Sequence, residues 1–162
     1  LHVGDEFFNK DVLTNVSKNW SGDNSFLYGN VLFEKNGVNV REWKSNHYCR
    51  KKLSYGWMPP HTSVFIGRNL YRNFKYNEDF KISGDYQFLL YILHQKKFTV
   101  EIRYIDQIMV KMSVGGLSTS GGLNAVRKFR EDIIAARCFF KVPFIVVILK
   151  RLTKLSQFNV SG

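Results

Sequence analysis

Strand-like and helix-like segments follow one another along this chain without any repeat. That succession restricts the fold to a sheet with helices packed on it, an α/β or α+β domain. Phe26–Glu34 (FLYGNVLFE) reads as a strand, and Asn36-Gly37 is a hairpin signal leading into Val38–Trp43. Met58-Pro59-Pro60-His61 imposes a rigid break before a further strand, Thr62–Ile66. Phe98–Tyr104 alternates as a strand, and Asp106–Met112 reads as another. Asn9–Trp20 is helical, with Asn9 as N-cap and Val12, Leu13 and Val16 on one face. Arg68–Phe74 is a short helix. Ser83 caps a helix over Gly84–Gln95 whose buried stripe is Phe88, Leu89, Ile92 and Leu93. Leu123–Phe140 is a long helix, and Pro143 kinks or restarts it.

The chain has 162 residues, one domain or part of a larger one, and its 44% apolar content suffices for a core. The longest apolar run, Val142–Leu149, is interrupted by Pro143 and falls short of the ~18–20 residues a bilayer span needs. Cys49 and Cys138 form no CxxC and read as ordinary thiols in a reducing compartment. The chain begins at Leu1-His2-Val3 without an initiator Met or a basic leader, as expected of a fragment. The net charge of +11 favours a polyanionic partner: nucleic acid, an anionic membrane or a phosphate-bearing substrate. Over half of the excess lies from Gly121 onward, where eight Lys or Arg face two Asp or Glu.

Five constellations can carry chemistry. Asp5 and Glu6 follow a β-like start; adjacent carboxylates at a strand end suit Mg²⁺ or Mn²⁺, although on these residues alone helix N-terminal charge compensation is the better account. Asp85, in the first turn of an otherwise apolar helix, is a macrodipole partner or a general base facing a cleft. His61 and Trp57 flank the tandem prolines, where a His is structural or catalytic and a Trp is core or a stacking platform for a sugar or base. Ser113–Ser118, with Gly115 and Gly116, is a Gly-rich loop able to cradle phosphate, but it is neither a Walker A nor a GxGxxG motif. In the tail, Lys141, Lys150, Arg151 and Lys154 punctuate an apolar segment. That pattern fits a membrane-surface helix with snorkelling basic side chains, or a helix packed on its domain with the basic face in water.

In order, Val3-Gly4-Asp5-Glu6, Tyr28-Gly29-Asn30-Val31, Met58–Phe65, Tyr76–Leu90 and Val110–Ser118 resemble the second half of a bacterial family 2 glycosyltransferase of the GT-A fold, of the kind that builds capsule, O-antigen or exopolysaccharide. The resemblance runs from Leu1 to about Phe140. It departs from the family pattern at the metal-binding DxD, whose first carboxylate falls on Val3, leaving Asp5 followed by Glu6.

The resemblance implies a mixed sheet with flanking helices lacking most of the nucleotide-binding half. Residues 1–120 would be the acceptor-side half of the catalytic domain, and 121–162 a basic amphipathic helical segment. It also implies inverting transfer of a sugar from a nucleotide-sugar donor to a hydroxyl of a glycan or lipid-linked acceptor in cell-surface polysaccharide synthesis. Asp85 would be the catalytic base, Asp5 and Glu6 the ligands of a divalent Mg or Mn ion, and His61, Trp57, Gly115, Gly116 and Ser118 substrate-binding. The expected location is cytoplasmic, or peripheral on the inner face of the cell membrane through residues 139–155. The competing readings are a nucleic-acid module, disfavoured because no recognised nucleic-acid motif accompanies the charge, and a non-catalytic membrane- or partner-binding remnant.

Overall fold

The computed structural model describes residues 5–96, 99–113 and 122–155. The elements in chain order are β1 (Glu6–Phe7), α1 (Asp11–Asn19), β2 (Ser25–Lys35), β3 (Val38–Trp43), α2 (Arg50–Leu53), a 3-10 turn at His61–Ser63, β4 (Val64–Ile66), α3 (Arg68–Asn73), α4 (Gly84–His94), β5 (Glu101–Ser113), α5 (Gly122–Arg137) and α6 (Pro143–Leu155). They form an α/β structure, a mixed open sheet with flanking helices.

The spine of the sheet is β2. It runs parallel to β5 on one edge. On its other edge it pairs antiparallel with β4 over Phe26–Tyr28 and with β3 over Val31–Lys35. Strand β1 adds to the far side of β5. With neighbours on both edges and cover on both faces, Ser25–Leu32 is buried without a break, which explains its nearly continuous apolar sequence. The strand's two-residue period divides this cover. Phe26 and Tyr28 join the cluster built on α4, while Leu27 and Val31 join Val12 and Val16 of α1. Asn9 serves as expected at the start of α1, its side chain accepting the Asp11 amide at 3.0 Å.

Two sequence expectations change. Helix α4 buries Tyr86–Leu90 as well as Ile92 and Leu93, more than one stripe, because α5 covers its side away from the sheet. The two strands expected around Asp106 are one. Thirteen residues of β5 oppose ten of β2, and the surplus is absorbed in irregularities between Tyr28 and Val31. Asp106, which suggested a break, lies in that bulged stretch. Gly29 makes room for it: a Cβ there would lie 2.6 Å from Met109 Cγ and 2.8 Å from the Gln107 carbonyl oxygen.

Candidate active site

Asp85 is fixed by the start of α4. The amides of Lys81, Ile82 and Ser83 donate to the Glu131 carboxylate of α5 at 3.2, 2.8 and 2.9 Å, and Arg127 Nε donates to it at 3.1 Å. Burial pushes the Glu131 carboxyl up, but the three amides and Arg127 outweigh it and hold the group below its ordinary range. The expected cap, Ser83, sits at the N-cap position without a capping side-chain bond; its hydroxyl instead donates to the Lys128 carbonyl at 3.4 Å. A carboxylate from another helix therefore organises the turn that presents Asp85.

His61 reaches Asp85 from the opposite side. The extended Pro60 leads into the 3-10 turn, and the Ser63 hydroxyl lies 2.9 Å from the Gly29 carbonyl and 3.0 Å from that of Pro60. This clamps the turn to the middle of β2, where β4 ends and β3 has yet to begin. His61 Nδ1 then lies 2.9 Å from Asp85 Oδ2, with 40% and 29% of the two side chains exposed, so solvent and solutes reach the pair. Asp85 Oδ1 is buried and accepts no hydrogen bond among the described residues. Burial pushes the Asp85 carboxyl up; the His61 hydrogen bond and charge, with Lys128, overcome it and leave the group well below the usual carboxylate range. At neutral pH the side chain is an ionised acceptor with lone pairs to spare.

Around this pair the last two helices place cations. Lys150 of α6 is buried, its Nζ 3.1 Å from Asp132 Oδ2 of α5 and 3.2 Å from the centre of the Tyr86 ring. Burial lowers its pKa to about 8 against the opposing pull of Asp132. One turn on, Lys154 Nζ lies 5.1 Å from the Trp43 ring centre, and the Arg41 guanidinium lies 5.5 Å from that same ring. Helix α6 reaches this position because Gly56, in a left-handed conformation (φ 81°), lets its Cα meet the Lys150 backbone; a Cβ there would collide with it.

The outer surface of α6 carries Phe144, Ile145, Ile148 and Leu152, each more than a third exposed, while Val146, Val147 and Lys150 face inward. Helix α6 is thus packed on the domain, as one of the two readings had it, but its basic face is not all in water. Lys141 and Arg151 are exposed, but Lys150 and Lys154 turn toward the domain, and the exposed face is largely apolar.

Of the other predicted site residues, Trp57 is half-buried against the α4 cluster. It donates from Nε1 to the Ser45 carbonyl at 2.7 Å and meets Tyr28 edge-on. Glu6 Oε1 lies 2.9 Å from Lys111 Nζ, which also binds Glu34 at 3.1 Å. The Lys111 ammonium thus bridges Glu6 of β1 and Glu34 of β2 in a largely exposed ion-pair cluster. Asp5 lies just before β1. Among the described residues no three His, Cys, Asp or Glu side chains converge as a metal site. Gly115, Gly116 and Ser118 lie outside the described residues. The sheet links β1 to the His61 turn: Phe7 stacks on Phe65, and the Thr62 hydroxyl reaches Met112 Sδ at 3.4 Å.

The residues that sequence reasoning passed over are Arg41, Trp43, Lys128 and Glu131. The only signal in the sequence was the pair of lysines at 150 and 154, one helical turn apart in an apolar run. No family model, no curated protein and no solved structure matches this chain. No helix among the described residues is long and apolar enough to cross a membrane.

Proposed function

We infer that the protein is an inverting glycosyltransferase of GT-A type, or the acceptor-side part of one, in which Asp85 takes the proton from an acceptor hydroxyl. The observation that supports this is the Asp85–His61 contact of 2.9 Å at the head of α4, partly open to solvent and bordered by cations. The acceptor oxygen attacks the anomeric carbon, the bond from that carbon to the nucleotide diphosphate breaks, and the proton passes to the carboxylate. A base positioned in this way is worth about 10²–10⁴-fold in rate. The donor is a nucleotide sugar and the acceptor a glycan or lipid-linked hydroxyl.

A second reading is favoured by the same contact. Asp85 orients His61, and the imidazole acts as the base, following the logic of a carboxylate–histidine pair. The order of variant effects separates the two. The test measures nucleoside diphosphate release and sugar transfer by the full gene product with a panel of nucleotide sugars. Asp85→Asn losing more than 100-fold while His61→Gln loses about tenfold supports the first reading; the reverse order supports the second. No transfer with any donor removes both.

The membrane is the partner proposed for α6. Its exposed apolar residues are accompanied by exposed Lys141 and Arg151, a combination complementary to an anionic bilayer surface. Co-sedimentation with vesicles containing phosphatidylglycerol is expected for the wild type, to be weakened by Phe144→Glu and by high salt. Equal binding to purely zwitterionic vesicles by wild type and variant contradicts this surface.

A further inference from the structure

The turn that presents Asp85 is held from outside its own helix. Ser83 lends α4 no capping side-chain bond. The amides of Lys81, Ile82 and Ser83 converge instead on the Glu131 carboxylate of α5. Glu131 Oε1 accepts the Lys81 amide and Arg127 Nε, and Oε2 accepts the amides of Ile82 and Ser83. Each oxygen thus takes two donors, and only an ionised carboxylate can accept at all four. Glu131 is buried, so water has little access to take its place.

Helix α5 is itself seated against α4. Lys128, Glu131 and Ala135 follow one another at helical spacing. The Lys128 carbonyl receives the Ser83 hydroxyl, and Ala135 is buried in the cluster with Phe88 and Leu89 of α4. Glu131 lies between these two anchor points. Only Gly84 separates the clamped amides from Asp85, so a shift of the turn passes straight to the carboxylate. His61 has a different support, the Ser63 hydroxyl on the Gly29 carbonyl of β2. The 2.9 Å contact therefore joins groups carried on separate frames, and Glu131 sets the frame that bears Asp85.

We propose that Glu131 is the positioning residue of the site, its carboxylate holding residues 81–83 so that Asp85 meets His61 Nδ1. The proposal rests on the glycosyl-transfer reading only for its effect on rate. Asp85 accepts through Oδ2, so a neutral His61 carries its proton on Nδ1 and leaves Nε2 as an acceptor. That tautomer reports the positioning whether or not sugar is transferred.

The test compares wild type with Glu131→Gln, an isostere that keeps one acceptor oxygen and turns an amide NH₂ toward two donors. The urea midpoint of each protein first establishes that it is folded. Long-range proton–nitrogen NMR spectra of the full protein at about pH 8.5, where imidazole is neutral, then read the His61 tautomer. The His61 signals are assigned by their absence from His61→Gln. Wild type is expected in the Nδ1–H form, and Glu131→Gln as a mixture in which Nε2–H is populated. The kcat for transfer should fall about tenfold or more, with the donor KM changed by less than about twofold. Glu131→Asp, charged but shorter, should fall between the two and carries the test should Glu131→Gln not fold. Arg127→Met, which leaves all three amides bound, should keep the wild-type tautomer. A wild type without the Nδ1–H form overturns the proposal. So does a folded Glu131→Gln protein that keeps the wild-type tautomer or transfers sugar at the wild-type rate. A tautomer that changes in Glu131→Gln, in a protein whose wild type transfers no sugar, rejects the transfer reading and upholds the hold of Glu131 on the pair.

Discussion

The sheet core and the α5–α6 layer are built on opposite patterns. Around β2 the rule is ordinary: Phe26, Leu27, Tyr28 and Val31 are inside, and polar atoms that join them are bonded, as when the Gly29 carbonyl accepts the Ser45 hydroxyl at 2.6 Å. In α5 and α6 the inside holds Glu131, Asp132 and Lys150 beside Ala135, Ala136, Val146 and Val147, while Leu123, Val126, Phe144 and Ile145 are exposed. The first region stabilises the fold. The second spends burial on charge and exposes apolar surface, which is unfavourable unless those charges and that surface meet something else. The site lies where the two regions touch, at the head of α4.

The sharpest ways to break this contrast are large truncations in each region. Phe26→Ala removes a fully buried ring and is expected to cost about 3–5 kcal/mol in urea unfolding. Asp132→Ala is expected to cost a similar amount, about 3–5 kcal/mol, but by stranding buried Lys150 rather than by opening a cavity. Adding Lys150→Met should therefore recover most of the loss in the α5–α6 layer, whereas no second substitution of that kind rescues Phe26→Ala. If the Asp132→Ala, Lys150→Met double variant is no more stable than Asp132→Ala alone, the buried pair does not behave as described.

A smaller effect follows from titration. The pKa of Lys150 is about 8 in the folded protein and ordinary, near 10.4, in the unfolded chain. Between these values the unfolded state binds more protons, so stability rises with pH across that window. Below pH 8 both states are protonated and the cost of the buried charge is fully present. Chemical denaturation at pH 7.5, 8.5 and 9.5 should show the rise in wild type and a flatter profile in Lys150→Met. The smallest effect belongs to the outer face: Phe144→Ser, at a half-exposed ring that meets Phe129 of α5 edge-on, should cost about 0.5–1.5 kcal/mol. A loss above about 3 kcal/mol would show that Phe144 is a core residue rather than part of the outer face.

What the sequence conveys about this molecule follows from how local each signal is. The burial of β2 is written in a nearly continuous apolar run, and the hairpin in Asn36-Gly37, where Asn36 and Gly37 both adopt positive φ. The bulge in β5 is not local: it depends on Gly29, seventy-odd residues earlier, accommodating Met109. The meeting of Asp85 with His61 was expected only in the sense that both were site candidates; their contact requires the Ser63–Gly29 clamp and the Glu131 carboxylate, neither of which has a sequence motif. The inward turn of Lys150 and Lys154 was least legible. In an isolated amphipathic helix lysine faces water, and only the approach of Gly56 and the presence of Asp132 reverse it.

The most direct measurement is sugar transfer by Asp85→Asn beside wild type, with each protein's fold verified by its unfolding midpoint. The account predicts a natively folded variant whose turnover falls at least about 100-fold, with donor binding little changed. A folded Asp85→Asn protein that transfers sugar at close to the wild-type rate would contradict it.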